Sequence, residues 1–281
     1  MNKKSQVEAQ FNWMYVLIIG SAIFALLVFF GFRIKSSADI GYCNELSFTL
    51  KDSVVNANYQ SNYFSTIKIK PNADINYDGL SLFCKGSSGA SLDNYIFFSQ
   101  NKTLYNGNIK DMIIFTLPYE KPFFVSNLVY MIDTDYEFEL SQNDYEELID
   151  DFLLDKFPEK KDIIKYVFTK DSAASSINFD YYDPELMLAQ VLSSDIIFYN
   201  NIDKLNTKHK EIASIMLSKC QSINQSYSNI DYNCQLDYDA LCNDIGIIIT
   251  NITRDENVDS ISEIINNKNL DLALHTCVYL Y

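Results

Sequence analysis

Apolar positions divide the chain into three regimes. Residues 11–32, FNWMYVLIIGSAIFALLVFFGF, form a continuous apolar run without a charged side chain. A helix rises about 1.5 Å per residue, so roughly 20 such residues cross the ~30 Å hydrocarbon layer of a bilayer. The run therefore predicts a single membrane-spanning helix at 11–35, preceded by a short tail at 1–10. Phe11, Trp13 and Tyr15 sit at one end, and Phe29, Phe30 and Phe32 at the other, with Arg33 and Lys35 closing the segment, as expected at headgroup boundaries. Residues 36–60 are more polar but place Ile40, Cys43, Leu46, Leu50, Val54 and Ala57 near helical spacing, which predicts a helical stalk.

Between 61 and 140 the period shifts toward two. Ile67 and Ile69 alternate with lysines, and Leu80, Leu82 and Cys84 alternate with Ser81 and Phe83. The short runs 95–99, 112–117 and 128–132 follow, separated by turn residues such as Asp78-Gly79 and Asn106-Gly107. This predicts a small, mainly antiparallel sheet. From 141 to 281 the pattern is mostly helical. Tyr145, Leu148, Ile149, Phe152 and Leu153 form a stripe that Pro158 stops, and Pro184 opens a helix through Leu192. The remaining helices are expected at 203–223, 237–252, 258–267 and 270–281, the last with Leu270, Leu274, Cys277, Val278 and Tyr281 inward. DIIKYVF (162–168) and INFDY (177–181) read as two further strands. The fold class expected is α+β: an N-terminal transmembrane helix, a small mainly antiparallel β-sheet region, then a mostly helical region.

Charge narrows the partners. Lys and Arg number 22 against 37 Asp and Glu, a net charge of −15, which is the wrong sign for gripping a phosphate backbone and argues against nucleic acid. All six cysteines (Cys43, Cys84, Cys220, Cys234, Cys242, Cys277) follow the apolar run. An even set on one side of a membrane suggests disulfides in an oxidising compartment. The pairing expected is Cys43 with Cys84 and two bridges among the last four, with Cys242 joined to Cys277. Basic residues are balanced across the run, so sidedness rests on those cysteines and on the sequons at Asn101, Asn224 and Asn251, which favour an external body. A cleavable leader ending near Ser36-Ser37-Ala38 is disfavoured by the length of the run and the basic residues after it.

Catalytic signatures are sparse. Asp74, Asn76 and Asp78 before Gly79 match the first half of a calcium loop, but the position for the bidentate acid holds Lys85, and Asp78-Gly79 already suits a hairpin turn. His209 and His275 are the two histidines, each expected at a helix edge, and HExxH, GxSxG and P-loop patterns are missing from the sequence. Ser65-x-x-Lys68 falls on an expected strand, which turns the hydroxyl and the amine to opposite sides. Asp133 with Asp135 and Asp150 with Asp151 are acidic pairs of the kind that serve glycosidases, yet among 37 acids such pairs are ordinary surface features. No cofactor is expected.

Two resemblances add to this reading. MNKKSQVEAQ is similar to the class III signal segments of archaeal type IV pilin-like proteins, in which a basic pair and a small residue precede a Gln at the cleavage point; here Glu8 stands closer to Gln6 than that pattern has it. It implies assembly through the apolar helix. The run 84–132 (CKGSSGASLDNYIFFSQ through TLPYEKPFFVSNLVYMI), with FYNNIDKLNTKHKEIASIM, Cys234 and the terminal HTCVYLY, resembles a family of single-pass membrane proteins of small-genome archaea with no assigned activity. That likeness implies a topology and no mechanism. The function expected is a membrane-anchored extracytoplasmic structural or interaction protein that meets lipid through 11–35 and other cell-surface proteins through its body. The alternatives are a pilin-like subunit and a carboxylate-dependent hydrolase.

Overall fold

The computed structural model describes residues 3–69, 75–77, 81–84, 89–99, 111–134, 152–169, 183–227, 232–251, 258–274, 277–278 and 280–281. Helix α1 (Lys3–Asn58) is continuous, so the apolar run and the expected stalk are one element. The strands are β1 (Phe64–Lys68), β2 (Ile75–Tyr77), β3 (Ser81–Cys84), β4 (Ala90–Ser91), β5 (Phe97–Ser99), β6 (Asp111–Glu120) and β7 (Phe124–Asp133). After a short turn through Leu154–Lys156 and Pro158–Lys160 come α2 (Lys161–Thr169), α3 (Pro184–Leu192), α4 (Asp195–Tyr227), α5 (Tyr232–Asn251) and α6 (Val258–Leu274).

The main sheet has the order β1-β6-β7-β5, and the second is a β2-β3-β4 meander. All the pairings are antiparallel except that of β5 with β7, where Phe97 faces Val129. Alternate side chains of β6 and β7 enter two separate cores. Met112, Ile114, Val129 and Met131 point toward α1 and the small sheet. Ile113, Phe115, Leu117, Leu128, Tyr130 and Ile132 point toward α3, α4 and the elements packed with them. A strand buried on both faces carries an unbroken apolar run, which is why MIIFTL and LVYMI read as continuous. The sheet is the middle layer of three.

The edge strand β5 would leave its outer backbone groups bare. Asn201 of α4, fully buried, fills that role: its Oδ1 accepts from Phe97 N–H (3.2 Å) and its Nδ2 donates to Phe97 C=O (2.8 Å). One side chain thus stands in for a neighbouring strand and closes the edge to other chains.

Several expectations need correction. The stretch 162–168 is helical, within α2, and only Ile164 of its two isoleucines is buried. The stalk is exposed only as far as Gly41, and Tyr42 already packs against the second core. From Cys43 onward, Cys43, Leu46, Leu50, Val54 and Ala57 are buried in the second core, because five apolar positions at helical spacing make a stripe that must be covered. The helix expected at 270–281 ends at Leu274, and Leu270, Leu274, Val278 and Tyr281 are exposed, while Ile265 and Leu272 face inward. The stripe at 145–149 and the run 177–181 lie outside the described residues.

Candidate functional site

The feature the sequence singled out is α1, and its two halves live in different surroundings. From Trp13 to Ile40 every described residue is exposed, including Trp13 (70%), Phe24 (69%) and Ile34 (70%). The best 18-residue window has a mean hydropathy of 2.5 and none of it is buried. At about 25 cal/mol per Å² of apolar surface, so many bare side chains are unfavourable in water. Length and composition suffice to cross a membrane. Arg33, the first charged residue after the run, lays its guanidinium over the Phe29 ring one turn back (5.7 Å to its centroid).

The other half is locked to the body. Cys43 is bonded to Cys84 of β3. At the far end, Asn58 C=O accepts from Asn127 Nδ2 (2.8 Å), Ser61 Oγ lies 3.2 Å from Asn127 Oδ1, and Gln60 C=O accepts from Thr116 Oγ1 (2.6 Å). Thr116 Oγ1 also accepts from Tyr63 N–H (2.9 Å). Asn62, at φ 56°, takes the left-handed conformation that lets the chain reverse from α1 into β1, a conformation Asn tolerates better than most residues. Asn56 and Ala57 C=O accept from Tyr59 and Gln60 N–H, whereas Asn58 and Gln60 C=O are met by Asn127 and Thr116, buried residues of the central strands.

The other two bridges tie the helical end together: Cys220 of α4 to Cys242 of α5, and Cys234 of α5 to Cys277 after α6. The expected Cys242–Cys277 pair is therefore wrong. Cys234 and Cys242 stand eight residues apart on α5, about 12 Å along the axis, so each meets a different neighbour. The segment after α6 is held by side chains: Tyr238 Oη donates to Val278 C=O, Lys219 Nζ to Leu280 C=O, and Leu280 N–H donates to Asn269 Oδ1 (3.0 Å). Burial pushes the Tyr238 phenol up to about 12.

His209 is not at a helix edge. It is 1% exposed, with its ring edge-on to Tyr119 (6.2 Å) and Phe123 (5.6 Å), and burial lowers its pKa to about 4, partly offset by a hydrogen bond to the Lys121 backbone. It is a neutral core residue. Beside it, Lys121 Nζ pairs with Asp183 at 2.5 Å. Tyr130, buried and donating to Glu185 C=O (2.9 Å), has its pKa raised by burial.

Among the described residues the remaining candidates do not converge. Asn76 is in β2, register partner of Phe83, and Asp74 and Asp78 lie outside the described residues. Among the described residues no group of three His, Cys, Asp or Glu side chains is arranged to hold a metal. Asp133 ends β7, whereas Asp135, Asp150, Asp151 and His275 lie outside the described residues. Ser65 and Lys68 share β1, three positions apart and so on opposite faces. Asn224 lies inside α4 with its Nδ2 donating to Asp239 Oδ1 (2.5 Å).

These elements define an α+β protein in which a long apolar helix protrudes from, and is clamped to, a disulfide-bonded three-layer body. Comparison with family models, with curated proteins and with solved structures finds no match for this chain.

Proposed function

We propose that the chain is a single-pass membrane protein whose body stands outside the cytoplasm as a structural or interaction module of the cell surface. The observation that carries this reading is the contrast along α1: bare and apolar from Trp13 to Phe32, core-packed from Cys43. Three bridges joining all six cysteines fit an oxidising compartment. The test is flotation with liposomes followed by carbonate extraction, with thiol labelling of intact cells. Retention in the lipid fraction and unreactive cysteines are expected. Full release at high pH, or thiols that react only after lysis, would overturn the placement.

A second reading is favoured by the same continuity. A rigid apolar rod fixed to a folded body can bundle with rods of other copies, which fits a pilin-like subunit assembling through α1. Intact mass separates the two: loss of residues 1–5 supports assembly after cleavage before Gln6, and an uncut chain removes that reading.

A further inference from the structure

The clamp between α1 and the sheet fixes more than attachment; it fixes orientation. On the face that α1 covers, the buried residues of β6 and β7 are Met112, Ile114, Val129 and Met131. They lie between the Thr116–Asn127 level, where α1 ends, and the strand end at Asp111 and Asp133. Beta1 leaves that same level and reaches Asp111 through Lys68. The docked half of α1 therefore runs from the Asp111–Asp133 end, at Cys43, to Thr116 and Asn127, at Asn58. It covers about 22 Å.

Helix α4 runs the same way and continues past the sheet. Asn201 meets Phe97 opposite Val129, Lys208 Nζ reaches Ser126 Oγ (3.5 Å), and His209 packs on Tyr119 and Phe123 at the β6–β7 turn. The rest of α4, bridged to α5, extends beyond that turn, and Tyr281 packs on Phe123 from that side.

The stand-off is short. From Arg33, at the limit of the apolar run, to Cys43 is ten residues, about 15 Å of helix, of which the headgroup layer takes roughly 5–7 Å. We infer that the body stands upright on the bilayer, with the Asp111–Asp133 end of the main sheet within about 10 Å of the lipid headgroups and the α4–α6 lobe facing away. This rests on the reading of residues 11–35 as a span. The lipid-facing surface is then the end of the main sheet beside the Cys43–Cys84 bridge, and the far end of the helical lobe lies roughly 40 Å farther out.

The experiment uses the full chain in phosphatidylcholine vesicles containing a headgroup-nitroxide phosphatidylcholine. Single thiols for a fluorophore are introduced at the exposed positions Lys68→Cys, Thr66→Cys and Gln221→Cys; the native cysteines are all bridged. Quenching several-fold stronger at positions 68 and 66 than at 221 is expected. A five-residue Gly-Ser insertion after Ala38, which breaks the helix between span and body, should narrow that difference. Equal or reversed quenching in vesicles that carry the protein overturns the orientation and leaves the span intact. An undiminished difference after the insertion overturns the helix as its cause. A chain that fails to float with the vesicles overturns the span and the orientation together.

Discussion

Acid should weaken this fold through His209 in particular. The ring is 1% exposed among Tyr119 and Phe123, so protonation puts a charge in an apolar site. Lys208 and Lys210 flank it in sequence on α4, and from the facing turn the Lys121 ammonium is turned to Asp183. The pKa is lowered from 6.5 to about 4. The unfolded chain therefore binds a proton between those values that the folded chain refuses, and stability is complete above pH 6.5 and falls as the pH drops toward 4. The loss from this one group is about 2 kcal/mol at pH 5 and about 3 kcal/mol at pH 4, after which it levels off. Urea unfolding of the full chain in detergent, followed by far-UV circular dichroism at pH 7, 5 and 4, measures the slope. Carboxylates add their own dependence, so the informative quantity is the difference between the protein and a His209→Gln variant. That variant should be less stable at pH 7, yet lose about 3 kcal/mol less on going to pH 4. Parallel pH profiles for the two proteins would refute a neutral buried imidazole.

Two further outcomes follow from the packing. Asn201→Leu leaves the N–H and C=O of Phe97 without their partner and should cost roughly 2–5 kcal/mol in thermal or chemical unfolding, with increased self-association through the opened β5 edge; an unchanged midpoint would show that the edge is closed by something else. Non-reducing peptide mapping should recover 43–84, 220–242 and 234–277 linkages, and Cys43→Ser should lower stability by up to about 4 kcal/mol, the chain-entropy value for a loop of this length; a 242–277 peptide would contradict the arrangement of α5.

Much of this was legible in the residues, and the failures have physical causes. The stripe Cys43, Leu46, Leu50, Val54 and Ala57 is visible at helical spacing, and all five are buried. What spacing alone could not say is that the stripe is covered by the same chain's sheet. At 162–168, β-branched and aromatic residues suggested a strand, but Ile163, Ile164, Val167 and Phe168 form two pairs four apart, which is the helical period, and a short apolar run does not distinguish the two forms without that check. His209 falls four residues after Leu205 and four before Ala213, both buried, so its place on the inward stripe was readable and only the polarity of imidazole pointed elsewhere. The bridge from Cys277 was missed because an expected helix through 281 would have held it level with Cys242, and α6 stops at Leu274. The role of Asn201 left no trace in the pattern: an amide among apolar neighbours shows its purpose only once the strand edge it completes is in place.

Among the described residues the buried sets of both cores begin at Cys43, with Tyr42 packed against the second, and the helix from Lys35 to Gly41 is exposed. A cut in that exposed collar would free the body with both faces of its sheet still covered and its first bridge intact. If residues 11–35 span a membrane as proposed, detachment and unfolding are then separate events, and a single cut in the collar releases the body with its packing complete.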